Sequence, residues 1–366
     1  IVRDGNRRLR RRRNALAGGV AGTLAVVAGA AALTLGGHSA SRAVQPADNP
    51  AKPLSYAVGS VIHSDGTTID VGTKIESMVS VEDGFVFSGP DRTVYLETNG
   101  ATHALGHIDG ASSRLYASDD GLVAAWWDGE QIQTWPGYRY NGSGEEVVED
   151  STHSFGVAST WPSGAPPHVE ALSDGHLWTW DGQHTVVAEV RPLTSTAGWK
   201  DAGFSDPEMI RSAAGARVLI RVGDGMAVVK ANLLPPPHQP GWADWEPGTD
   251  VSGVGAQVSG VTDGVLSPEG DHWFTQDSDQ FAVFDSATGE RQDPRYEDLG
   301  FAFAAPYQWL GNDTIAALAL PKATNDPQLI SLLTCHVSTN DCTVTARDIG
   351  DKTEVAITVG ESLQHQ

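Results

Sequence analysis

The sequence predicts an all-β protein, a β-propeller of four-stranded sheets packed radially around an axis, and three observations point to it. The first is residues 261–292, VTDGVLSPEGDHWFTQDSDQFAVFDSATGERQ, where three apolar runs of strand length are separated by tight polar turns. The second is repetition, because units of the same kind recur between residues 75 and 348. The third is a pair of leftovers, a hairpin near the start of the repeats and a lone strand, residues 354–359, at their end. A meander of this kind has an apolar face on each side and cannot cover both, so each unit must stack on another.

Taken from the beginning, residues 1–13 hold seven arginines against Asp4 and so carry +6, while the whole chain carries -22. The remainder is therefore at about -28, a charge that argues against nucleic acid as a partner of the main body. Residues 15–37, ALAGGVAGTLAVVAGAAALTLGG, run for 23 positions without a charge. At about 1.5 Å per residue this run crosses a hydrocarbon layer of roughly 30 Å. The arginines lie before it and few basic residues follow, which places the amino terminus in the cytoplasm and everything after residue 37 outside. A cleavable signal peptide is the competing reading, but the run is long for one and Ser41-Arg42-Ala43 is a poor cleavage triplet. Because the sequence begins with Ile1, residues upstream of it are expected. Residues 38–53 are small, polar and proline-containing and read as a tether. The expected organisation is a basic cytoplasmic segment (1–14), a transmembrane helix (15–37), a linker (38–53) and a propeller ectodomain (54–366), held in the cell membrane by a single pass.

Residues 56–62 and 67–71 read as two strands around a turn, half a blade, and residues 354–359 are the orphan strand expected to complete it. Joining first and last strands in one sheet leaves the ring without free edges. Six fuller units stand between: 75–108, 113–150, 154–190, one starting near Met209 with a long insertion, 261–292 and 303–348. With the shared blade the count is seven, or six if the fourth unit is not a blade of its own.

The signature Ser267-Pro268-Glu269-Gly270, followed by FDSATGER at 284–291, resembles the repeats of TolB-like and WD40-like bacterial propellers. Looser versions are YASDDG at 116–121 and WLGND at 309–313. With the basic leader and single span, the chain looks like the membrane-anchored propeller proteins of high-GC Gram-positive bacteria, many of them without an assigned activity. The resemblance implies the fold and is nearly silent on function.

Residues that carry chemistry are sparse. Cys335 and Cys342 enclose CHVSTNDC and face one another if residues 339–341 make the turn, so a disulfide across the outer hairpin of the sixth unit is expected. A metal site would need two more ligands, and His336 points to the face opposite Cys335. His103 and His107 lie about 13 Å apart on a strand, too far to share an ion. Asp128, Asp174, Asp181 and Asp224 precede glycine and read as turn residues. No Gly-x-Ser-x-Gly elbow, calcium loop or quinone-docking repeat occurs, and no metal or cofactor is expected.

Tryptophan is the anomaly, with eleven, all between Trp126 and Trp309. Trp126, Trp178, Trp180 and Trp273 fall in strands, where wedging between sheets is their expected role. Trp199 with Asp201, and Trp242 with Asp244 and Trp245, sit instead in the loops 191–207 and 234–248. Long loops of this composition suit a sugar ring or a protein hot spot, which makes these five the candidate ligand- or partner-binding residues. The expected function is recognition of an envelope protein or glycan. The alternative is an enzyme acting on cell-envelope carbohydrate through paired carboxylates in the funnel.

Overall fold

The computed structural model describes residues 52–82, 84–110, 114–118, 120–140, 146–149, 152–156, 168–173, 176–180, 185–189, 200–204, 210–214, 217–230, 255–275, 281–321, 328–360 and 363. Within them lie seven four-stranded antiparallel sheets, the blades of the propeller. Blade one is Ser77–Val81, Gly84–Ser88, Thr93–Thr98 and Ala101–His107. Blade two is Tyr116–Ala117, Ala124–Trp127, Gln131–Trp135 and His153–Gly156. Blade three is His168–Ser173, His176–Trp180, Thr185–Glu189 and Lys200–Phe204. Blade four is Ile210–Ala214, Arg217–Val222, Gly225–Lys230 and Val258–Ser259. Blade five is Gly264–Leu266, His272–Thr275, Val283–Asp285 and Arg291–Gln292. Blade six is Phe303–Trp309, Thr314–Leu320, Ile330–His336 and Asp341–Gly350.

The seventh blade closes the ring. Its strands are Val355–Ile357, Ser55–Val58, Val61–Ser64 and Thr67–Asp70, so three strands come from the start of the repeats and one from the end. Tyr56 pairs with Ile357, Ala57 with Ala356 and Val58 with Val355. Ala57 and Ala356 are fully buried. The expected closure is present, with one difference in its outer part. Residues 56–62, read as one strand, are two, because Gly59 takes φ of 60° and turns the chain back.

Seven buried apolar clusters lie one at each interface between neighbouring blades. Blades one and two share Val79, Val86, Leu96, Leu115 and Trp126. Blades five and six share Phe274, Phe281, Trp309, Ile315 and Leu333, and the closing blade meets blade one through Ala57, Ile62, Met78, Phe87 and Ala356. Clusters of the same kind join the remaining pairs, two to three, three to four, four to five, and six to the closing blade. This is the stacking that two-faced meanders require, and the tryptophans are its wedges. Trp126 donates its indole N–H to the carbonyl of His107 in blade one at 3.0 Å, and Trp309 donates to Val265 in blade five at 3.0 Å. These two rings thus keep their one polar atom paired on the neighbouring sheet, whereas the indole N–H of the buried Trp178 has no hydrogen-bond partner among the described residues.

The repeat signature has a common turn. Ser267 accepts a bond on its carbonyl from the Gly270 N–H at 2.8 Å, and its hydroxyl accepts from the His272 N–H at 3.1 Å. Ser118 and Gly121 repeat the first bond at 2.8 Å, and Ser118 Oγ accepts from Val123 N–H at 3.0 Å. Both turns join the first and second strands of a blade.

Three boundaries differ from the sequence reading. The unit read as 113–150 contains a separate hairpin, Gly137–Tyr140 with Glu146–Glu149. That excursion postpones the fourth strand of blade two to His153–Gly156, residues the spacing had assigned to the next unit. The stretch 191–207, read as a loop, contains the fourth strand of blade three, Lys200–Phe204, where Asp201 pairs in register with Val186. An outer strand needs only one partner and little apolar content, so periodicity does not reveal it. The expected disulfide is formed, bridging Cys335 and Cys342 across the outer hairpin of blade six.

Residues 1–51, with the basic segment, the apolar run and most of the linker, lie outside the described residues, as do Trp199, Trp242, Asp244 and Trp245. Among the described residues, no helix is long and apolar enough to cross a membrane.

Candidate functional site

The first strands of the blades line the axis and enclose a cavity of about 420 Å³ to which all seven blades contribute. Its wall mixes aliphatic side chains, Val79, Leu115, Val169, Leu172, Ile210 and Val265 among them, with polar surface that makes up the larger share of the lining. Four charged side chains join them: Lys52, Arg114, Arg211 and Asp263. All four are half-buried. Three cations against one carboxylate is the reverse of the chain's balance, since residues 48–366 hold 16 Lys and Arg against 45 Asp and Glu.

Each arginine is tied to another part of the ring. Arg114 donates from Nε to the carbonyl of Val359 at 3.0 Å, and its guanidinium lies 5.4 Å from the centroid of the Tyr116 ring. Arg211 donates from Nε to the carbonyl of Thr262 at 3.2 Å. Its backbone sits at a bulge, where register shifts between Ile210 and Ser212 against blade four's second strand. Blades three and six have bulges at matching places, Val169/Ala171 and Pro306/Gln308. Each bulge lies in a channel-lining strand, and bulges redirect side chains.

The segment after the last strand completes the wall. Gly360 donates its N–H to Met78 of blade one at 2.8 Å and accepts from Leu115 N–H at 2.9 Å. A Cβ on Gly360 would lie 1.8 Å from the Leu115 carbonyl oxygen, and its φ is 75°, so the approach admits glycine alone. Thr358 donates its hydroxyl to Gln308 Oε1 across the cavity wall. Tyr307, also at the wall, has its phenol pushed above the ordinary range by burial, with the nearby Tyr56 adding to the effect. Its hydroxyl has no hydrogen-bond partner among the described residues.

Of the sequence-nominated site residues, only Asp201 is described, and it stands on the outermost strand of blade three, away from the axis in the strand order. The nominated disulfide is structural. The cavity was missed because its charged residues come from separate repeats. A signal existed nonetheless: Arg114 precedes Ser118 by four residues, and Asp263 precedes Ser267 by four, so the signature turn marks an axial position that here carries charge. Among the described residues no group of His, Cys, Asp and Glu is arranged to hold a metal ion.

No known family model and no curated protein matches the chain. Among solved structures, TolB from Acinetobacter baumannii is similar over 83% of this chain and 66% of its own length, with 10% identity and a TM-score of 0.38. This chain thus spans just under two thirds of that structure. Hsv2 from Kluyveromyces lactis is similar over 73% of this chain and 75% of its own, with 11% identity and a TM-score of 0.38. A TolB-type protein from Agrobacterium tumefaciens covers 80% and 88%, with 7% identity and a TM-score of 0.36. The propeller assignment rests on the seven sheets and seven interfaces of the chain itself.

Proposed function

We propose that this protein is a membrane-tethered recognition module whose propeller stands outside the membrane, engages an envelope protein or glycan, and performs no chemistry of its own. The observation that carries the reading is the composition of the axial cavity. Glycoside hydrolysis requires two carboxyl groups about 5 to 10 Å apart. The described wall supplies one, Asp263, alongside Lys52, Arg114 and Arg211. A preformed concave site with mixed apolar and polar lining suits binding.

The tether is the uncharged run 15–37 behind its arginine cluster. Trp199, Asp201, Trp242, Asp244 and Trp245 belong to the proposed partner-facing surface, as aromatic anchors beside carboxylates. Chemical crosslinking in intact membranes, followed by purification of the full-length chain, tests the reading. One partner recovered in near-equal amount is expected, and replacing Trp242 and Trp245 with alanine should weaken its capture while leaving thermal unfolding unchanged. Recovery of the chain alone would overturn partner capture.

A further inference from the structure

We infer that the axial cavity binds a small neutral saccharide, held by hydroxyl and amide groups that converge on it from separate blades. The inference deepens the recognition reading and rests on it, giving the glycan a site and a chemical class. Two observations carry it: the charged lining is already engaged, and several uncharged polar groups are not.

Arg114 and Arg211 each give Nε to a backbone carbonyl, of Val359 and Thr262, and Asp263 Oδ1 accepts the N–H of Gly264 at 2.8 Å. The guest therefore need bring no countercharge. An anion would have to pass a body whose residues 48–366 carry 45 acids, and a cation would meet Lys52, Arg114 and Arg211 on the same wall as one carboxylate. A neutral molecule avoids both costs.

The uncharged lining offers what sugar hydroxyls need. Gln308 accepts the Thr358 hydroxyl on Oε1, while its amide nitrogen, with two N–H donors, has no partner among the described residues. The half-buried Ser80 has no side-chain partner among them either. Ser212 Oγ accepts the Leu266 N–H at 3.1 Å, which leaves its O–H to be given. All three residues line the cavity, from the first strands of blades six, one and four. Each first strand ends its sheet, so one edge of its backbone also faces the axis. Val79, Leu115 and Ile210 stand between these groups. That alternation suits a sugar, which has hydroxyls around its edge and C–H groups on its faces, and about 420 Å³ lies within the size range of small-ligand sites.

Saturation-transfer NMR tests this, with the full-length chain titrated against glucose, galactose, mannose, N-acetylglucosamine and maltose, and separately against glucuronate and protonated glucosamine. At least one neutral sugar should give saturable transfer, with the two charged sugars at least threefold weaker than the best neutral one. Ser80→Ala removes a hydroxyl with no partner to lose and should weaken binding about threefold, the effect of one neutral hydrogen bond. Gln308→Glu keeps the acceptor for Thr358, removes both amide donors and should weaken binding about tenfold. Arg217→Gln, which removes an exposed arginine paired with Asp271 outside the cavity, should change nothing. If Gln308→Glu fails to fold, Ser80→Ala alone decides. No transfer to any neutral sugar, tighter binding of glucuronate, or equal losses in Ser80→Ala and Arg217→Gln would overturn the inference. A protein partner captured in membranes by a chain that binds no sugar would overturn this inference and leave recognition standing.

Discussion

Charge is used differently in the turns of this propeller and along its axis. In the turns it is local. Asp91 Oδ1 accepts the N–H of Thr93 at 3.1 Å, Asp128 Oδ1 those of Glu130 and Gln131 at 2.8 and 2.7 Å, and Asp285 Oδ1 those of Ala287 and Thr288 at 3.0 and 2.7 Å. Each carboxylate spans two or three residues and fixes one hairpin. Along the axis, Arg114 of blade two reaches Val359 beyond the closing strand, and Arg211 of blade four reaches Thr262 ahead of blade five. These bonds run between blades and face a cavity. Acidic residues in the turns serve the fold of single blades, whereas the axial cations tie blades together around a cavity that only the complete ring creates.

That contrast makes graded demands. Both regions depend on the blade interfaces, so removing a wedge should have the largest effect. Trp126→Ala and Trp309→Ala should each cost about 3–5 kcal/mol in denaturant unfolding, as expected for a large buried ring. A loss below about 1 kcal/mol would mean that the interfaces do not hold the ring upright. Next, removing the disulfide by Cys335→Ala with Cys342→Ala releases a loop of sequence separation 7 on the outer hairpin. The expected cost is about 2–3 kcal/mol, with sugar binding intact, because the bridge is remote from the cavity lining. Ser80→Ala should do the reverse, weakening sugar binding about threefold while stability stays within about 0.5 kcal/mol. A stability loss equal to that of the cysteine pair would erase the distinction.

The smallest effect is the dependence on pH. Backbone N–H donors hold the Asp285 carboxyl below its usual range, Thr288 foremost, and the Thr93 and Thr353 bonds do the same for Asp91 and Asp351. A depressed carboxyl contributes stability above its unfolded value, about 3.9, and loses it as pH falls through the lower folded values. Thermal stability should therefore be flat in these groups from pH 7 to about 5 and fall below pH 4. Asp285→Ala should lower the plateau slightly and flatten the acid limb. An unchanged limb would show that this turn does not couple to folding.

The same contrast explains what the sequence reveals. Aspartate-glycine and aspartate-threonine turns are written in adjacent residues, so hairpins such as those at Gly84–Ser88 and His272–Thr275 were legible, and so was the bridge between Cys335 and Cys342. Outer strands with one partner were not, as Lys200–Phe204 and the two-residue Val258–Ser259 and Arg291–Gln292 show. The cavity was least legible of all. Lys52, Arg114, Arg211 and Asp263 are separated by roughly one to two repeats each and meet only through ring closure, which no local pattern encodes.

Hydrogen–deuterium exchange of the full-length chain, with and without a saturating amount of whichever neutral sugar binds, compares axis and turns in one experiment. Added protection should be confined to the cavity-lining residues 79–80, 114–117, 210–213, 307–309 and 358–359, with the turns around Asp91, Asp128 and Asp285 unchanged. Protection spread over those turns, or absent from the axial strands, would contradict a binding site built by the closed ring.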